Sequence, residues 1–212
     1  MMELYNYFRS SAAYRVRIAL NLKEVAYTQL PVNLQRGEQN HPQYKQVQPQ
    51  GLVPALRDQG AVLLQSLAIC EYLEEAYPER SPLLPVNRVD RARVRAISEI
   101  IACDIHPVNN LRVLNYLSQC LDIGEQEKIS WYQHWIEEGF LALEQLLTGE
   151  EYPGKFCFGD TPGLADLCLV PQMFNARRFG VDMAPYPELL RIESNCQSLP
   201  AFADAHPDNC SH

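Results

Sequence analysis

The stretch PERSPLLPVN, residues 78–87, carries three prolines in ten positions. Proline has no backbone N–H and a fixed φ, so neither a helix nor a central strand runs through such a segment. It divides the 212-residue chain into two halves of different grain. Ahead of it, short alternating or β-branched runs take turns with helix-period segments; behind it every periodic segment is helical. The predicted organisation is an α/β domain over residues 1–80, a linker over 81–87 and an all-helical domain over 88–212. Helices are expected at roughly 88–118, 126–148, 163–178 and 185–197, the first of them kinked or split at Pro107.

Within the first half, residues 3–7 read as a strand. From Ala12 the apolar positions 12, 13, 16, 19 and 20 recur at helical spacing, with Arg15, Arg17, Asn21 and Lys23 on the other, polar face. Residues 26–32 read as an edge strand, because Pro31 lacks a donor. Residues 33–50 read as an irregular polar loop with room for a short helix. Two strands, 52–56 and 61–64, are joined by an Asp58-Gln59-Gly60 turn. A helix follows over 65–77, capped by Ser66 and stopped by Pro78.

The net charge of −8 argues against nucleic acid or an anionic membrane as partner. Residues 1–80 hold equal numbers of acidic and basic side chains, so the imbalance lies entirely beyond the linker. Seven cysteines without a C-x-x-C pair suit a reduced, cytoplasmic compartment and speak against a metal site. No apolar run reaches the 18 residues that would suggest a membrane span.

Two adjacent serines, Ser10 and Ser11, sit where the first strand gives way to the first helix. Either could simply cap that helix. A hydrolase-type nucleophile would need a base in reach, and neither G-x-S-x-G nor a triad order is visible. A helix N-terminus also stabilises anions, thiolates among them, and a neighbouring hydroxyl can donate one more hydrogen bond. With no cysteine there, the thiol would arrive on a ligand. Two other fragments suit a thiol peptide. A cis Val53–Pro54 bond would offer the Val53 backbone to an extended peptide, and Gln65-Ser66 at a helix start would hold a carboxylate.

Read together, "YFRSS" with "RVRIALNLK", "QPQGLVPAL", "QSLAICEYLEE", "CDIHPVNNLRVL", "FGDTPGLADLCLVPQ" and "ARRFGVDMAPYP" resemble the zeta-class glutathione transferases over nearly the whole chain. The resemblance implies a thioredoxin-like N-terminal domain, an all-α C-terminal domain, glutathione as cofactor, a homodimer, and cis–trans isomerisation of a diketo acid. It assigns Ser10 to the glutathione sulfur with Ser11 beside it. Val53 with Pro54, Gln65 and Ser66 go to the peptide and its γ-glutamyl end, and Gln39 to its glycine end. His106, Asn110 and Arg112 join the glutathione-contacting set from the kinked helix. Arg178 is assigned to substrate carboxylate, with Arg9 and Arg15 as helpers.

Two positions depart from the family pattern. Ala12 stands where the family usually has Cys, which removes a thiol near the site. Gly163 stands where the family usually has Ser or Thr ahead of Asp166, so only Asp166 can reach back to the cap amide. A cis C=C bond between carbonyls becomes a rotatable single bond when a thiolate adds, and expulsion of the thiolate leaves the trans isomer. That route needs an ionised thiol and a cation for the substrate, but no general base. Maleylacetoacetate is the implied substrate. Maleylpyruvate, general glutathione conjugation and a non-catalytic binding role stay open as alternatives.

Overall fold

The computed structural model describes residues 1–152 and 154–210. The chain divides into two compact units. One is Met1–Leu84 joined by the segment from Gln197 onward, and the other is Pro85–Cys196.

In the first unit, strand β1 (Met2–Asn6) alternates buried and half-buried residues, as a strand with one core face should. Helix α1 (Ser11–Leu22) carries the chain over to β2 (Tyr27–Pro31), which pairs parallel to β1. Strands β3 (Ala55–Asp58) and β4 (Ala61–Leu64) form an antiparallel hairpin on the other side of β1, giving the order β2-β1-β3-β4. Pro31 thus lies on an edge strand, where its missing donor costs nothing. Gln59 and Gly60 both have positive φ, which closes the two-residue turn in the sense that matches strand twist. The third strand begins at Ala55, three residues later than the expected 52, with a bend at Val53 and the cis Val53–Pro54 bond just ahead of it. The polar loop after β2 holds a short 3₁₀ turn (Glu38–Asn40) and helix α2 (Pro42–Val47). Helix α3 (Ser66–Ala76) completes the unit.

Helix α1 departs most from its sequence pattern. Every residue from Ser11 to Leu20 is buried, Arg15 and Arg17 included. Helix α3 covers the Arg15 side and the C-terminal segment the Arg17 side, with helix α9 (Pro200–Ala203) packed on α1. Asn21 Nδ2 donates to the Ala201 carbonyl (3.0 Å), Arg17 Nε donates to the Ala205 carbonyl (3.0 Å), and the Tyr14 ring meets His206 edge-on. The expectation of one helical domain over 88–212 is corrected accordingly: the segment from Gln197 belongs with the first unit, while residues 211–212 lie outside the described residues. Lys23, expected on a solvated face, is also buried. Its Nζ donates to Glu74 Oε2 (2.6 Å) and the Tyr77 carbonyl (3.1 Å), and Glu74 in turn accepts from the Leu83 amide at the start of the linker.

The second unit opens with α4 (Arg88–Glu99), capped by Asn87, which accepts from the Val89 amide. The break comes ahead of Pro107: Ile100–Ile105 widen into a π-helical turn, and the His106 amide donates five residues back to Ile101. Helices α5 (Leu111–Cys120), α6 (Glu125–Leu147), α7 (Leu164–Arg178) and α8 (Pro187–Gln197) follow. Gly139 lets α6 approach the widened turn; a Cβ there would stand 2.2 Å from Ile105 Cδ1. Asp166, buried in the first turn of α7, accepts from the Gly163 amide (2.8 Å) and the Cys157 amide (2.9 Å). It reaches back alone, as glycine at the cap requires, and the helix forms.

Candidate active site

Ser10 is the N-cap of α1, with extended backbone and its Oγ accepting from the Ala13 amide at 3.2 Å. Capping uses the oxygen as an acceptor and leaves the hydroxyl proton to be donated elsewhere. The two readings of this serine are therefore compatible. Ser10 is half-buried whereas Ser11 is buried within the helix, so Ser10 is the hydroxyl presented at the helix start. The first amides of α1 have no carbonyl one turn back, and their partial positive charge favours an anion there. Arg9 is exposed and lies over the Phe8 ring at 4.9 Å.

Val53 lies in the bend that leads into β3. Among the described residues neither its N–H nor its C=O takes a protein partner. Gln65 precedes α3 with φ of 69° and is exposed, its amide nitrogen donating to Gln50 Oε1 at 3.1 Å. It is Gln65, not Ser66, that occupies the cap position. Ser66 is the first helical residue, and its Oγ accepts from buried Arg15 at 2.6 Å. Arg15 is 2% exposed, with a buried Nε that has no hydrogen-bond partner. Arg15 therefore stands behind the start of α3 and adds full positive charge to the amides there. Gln39 sits in the 3₁₀ turn, its backbone oxygen so near Gly51 that a Cβ would come within 2.8 Å. Its side chain leaves a buried Oε1 without a partner.

These groups fit a tripeptide bearing a thiol and carboxylates. A hydroxyl and helix amides suit the sulfur, an unpaired backbone segment suits the peptide, and a helix start backed by a guanidinium suits a carboxylate.

In the second unit, Arg178 ends α7 exposed, its guanidinium 4.8 Å from the Phe179 ring centre. Phe179 stacks on Tyr132 at 3.5 Å between centroids, and Gln133 Nε2 donates to its carbonyl at 2.8 Å. Burial pushes the Tyr132 phenol up to about 12, with Arg178 pulling the other way. Asn110 caps α5, accepting from the Arg112 amide at 3.1 Å, and Arg112 is exposed. His106 is half-buried at the end of the π-helical turn. Sequence reasoning missed Phe179 and Tyr132 as the platform under Arg178. The adjacent "RRF" could have suggested the stacking of Phe179, but nothing local points to Tyr132.

The sequence profile for the Glutathione S-transferase N-terminal domain matches residues 1–75. With the four-stranded sheet and the helices around it, this defines a thioredoxin-like glutathione-transferase fold followed by helices. A probable maleylacetoacetate isomerase from Vibrio cholerae is 49% identical over 97% of this chain and 95% of its own. A maleylpyruvate isomerase from Ralstonia sp. is 48% identical over 97% of both chains. The crystal structure of a maleylacetoacetate isomerase from Methylobacterium extorquens AM1, with malonate and glutathione bound, superposes with a TM-score of 0.96 at 40% identity, covering 99% of this chain and 98% of that one. The chain belongs to the zeta-class glutathione transferase family of maleylacetoacetate isomerases.

Proposed function

We propose that this protein is a glutathione-dependent isomerase that converts maleylacetoacetate to fumarylacetoacetate in tyrosine and phenylalanine breakdown. One observation carries the reading: the Ser10 oxygen takes up a helix amide while its proton stays available at the start of α1. Bound glutathione supplies a thiolate that adds reversibly to the cis double bond. Holding that thiol ionised means lowering a value near 8.5 by about two units, or about 2.7 kcal/mol of differential stabilisation, within the reach of a helix start with a neighbouring donor. Ser10 donates to the sulfur, with Ser11 beside it. Val53, ahead of Pro54, pairs with the peptide backbone. Gln65, Ser66 and the α3 amides hold the γ-glutamyl carboxylate, backed by Arg15, and Gln39 meets the glycine end. Arg178 takes the substrate carboxylate from its aromatic platform, Arg9 assists, and His106, Asn110 and Arg112 line the glutathione side. The protein acts as a cytoplasmic homodimer.

Maleylpyruvate is the second reading, favoured by Ala12 in place of the usual Cys and by the similarity to the Ralstonia enzyme. Loss of absorbance by each cis-diketo acid, with and without glutathione, tests both. Activity should require glutathione, and Ser10→Ala should lower it tenfold or more, on the order of 1.4 kcal/mol. Equal rates without glutathione would remove the proposal, and the ratio of the two rates decides the substrate.

A further inference from the structure

Arg17 is the largest puzzle in the first unit. It is fully buried at 0% exposure, on a helix whose pattern places it on a polar face, and it has no carboxylate partner among the described residues. A guanidinium taken out of water needs its donors met. They are met by three acceptors on two pieces of chain, the end of β1 with the turn that follows it and the C-terminal segment. NH1 donates to Asn6 Oδ1 at 2.7 Å, at the end of β1. NH2 donates to the Phe8 carbonyl at 3.1 Å, and Nε donates to the Ala205 carbonyl at 3.0 Å. The Tyr14 ring lies against the same group, 5.0 Å from the guanidinium carbon.

The Phe8 carbonyl belongs to the turn that delivers Ser10. That turn is closed by the Ser10 amide donating to the Tyr7 carbonyl at 2.9 Å. Ser10 then caps the very helix that carries Arg17. One side chain therefore ties the turn bearing the hydroxyl to the helix bearing the amides. Asn6, its other partner, is itself fixed: its Nδ2 donates to Gln29 Oε1 at 2.8 Å, and its backbone carbonyl accepts from the Val32 amide at 2.7 Å.

We propose that Arg17 is a positioning residue for the thiol site: its three-way fork holds the Tyr7–Ser10 turn in register with the start of α1, with the C-terminal segment as its third anchor. The inference rests on the isomerase reading above. A hydrogen bond from Ser10 to an anion depends steeply on distance and angle, so a turn released by a few tenths of an ångström weakens it while leaving the rest of the peptide site in place. Lysine cannot substitute, because an ammonium on a flexible stem cannot span three acceptors set around a planar fork.

The experiment compares the full-length protein with Arg17→Lys and Arg17→Met. Circular dichroism reports folding, thiolate ultraviolet absorbance against pH gives the pKa of bound glutathione, and the affinity for S-methylglutathione reports peptide docking without an ionisable sulfur. Both variants should fold and hold S-methylglutathione within about threefold of wild type. The bound thiol should titrate about one unit higher, from about 6.5 to about 7.5, which lowers the thiolate fraction at pH 7, and kcat with it, roughly threefold. An unchanged thiol value in a folded variant overturns the proposal. So does a loss of S-methylglutathione affinity as large as the change at the thiol, or a failure of both variants to fold, which would make Arg17 a fold determinant only. A wild-type protein that binds glutathione with an unshifted thiol would instead bring down the isomerase reading, and this inference with it.

Discussion

Arg177 donates through both terminal nitrogens to Glu193, whereas Arg178, the next residue of α7, lies over the Phe179 ring and makes no ion pair among the described residues. Glu193 is 3% exposed, so removing its partner leaves a buried carboxylate unmatched. Arg177→Ala should therefore destabilise the protein by about 1–3 kcal/mol in denaturant unfolding, the outer edge of Arg177 being already in water. Arg178→Ala should leave stability within about 0.5 kcal/mol and raise KM for the cis-diketo acid roughly tenfold with kcat little changed. Unaltered saturation in the second variant would reject its role. Only the match of "ARRFGVD" to the family separates these two arginines in the sequence, because the carboxylate that occupies Arg177 lies in another helix. Arg15 and Arg17 were illegible for a related reason. Periodicity assumes that one face of a helix meets water, and here helix α3 covers Arg15 while the chain returns from beyond residue 196 to cover Arg17.

At the scale of elements, the widened turn at Ile100–Ile105 and the glycine of α6 are complementary parts of one contact. A methyl group added at 139 would overlap both Ile105 Cδ1 and Cγ1, and Ile105 is buried and branched, with little room to swing aside. Gly139→Ala should cost about 1–3 kcal/mol despite the better helix propensity of alanine. In a double-mutant cycle with Ile105→Ala, the pair should cost less than the sum of the two single changes by at least about 0.5 kcal/mol. Strict additivity would show that the contact does not set the fit. The sequence announces an interruption through Pro107 but not its form, because a π-helical turn is selected by what packs against it. The sheet was more legible: a proline on the edge strand and a turn rich in permissive residues are local signals, and local signals survive without knowledge of partners.

Across the whole molecule, both units protect phenols. Tyr27 is pushed up to about 12 by burial, Tyr72 to about 12 by its hydrogen bond to Asp58, and Tyr132 to about 12 by burial. The unfolded chain releases these protons near 10, while the folded protein still holds them. Protons then favour the folded state, and stability falls as pH climbs from about 10 to about 12. Phenolate absorbance should rise at higher pH in native protein than in denaturant, and the unfolding free energy should decline across the same window. Coincident titration curves would show that the phenols are not protected.

The return of the chain to α1 has a consequence for synthesis. On the ribosome, residues 1–84 emerge first but lack the carbonyl that Arg17 Nε requires and the cover over the outer side of α1. The second unit, Pro85–Cys196, has all of its own residues by the time residue 196 is out. The half of the molecule made first is thus the half completed last, and the Arg17 anchor behind the Ser10 turn is complete only after translation has passed residue 205.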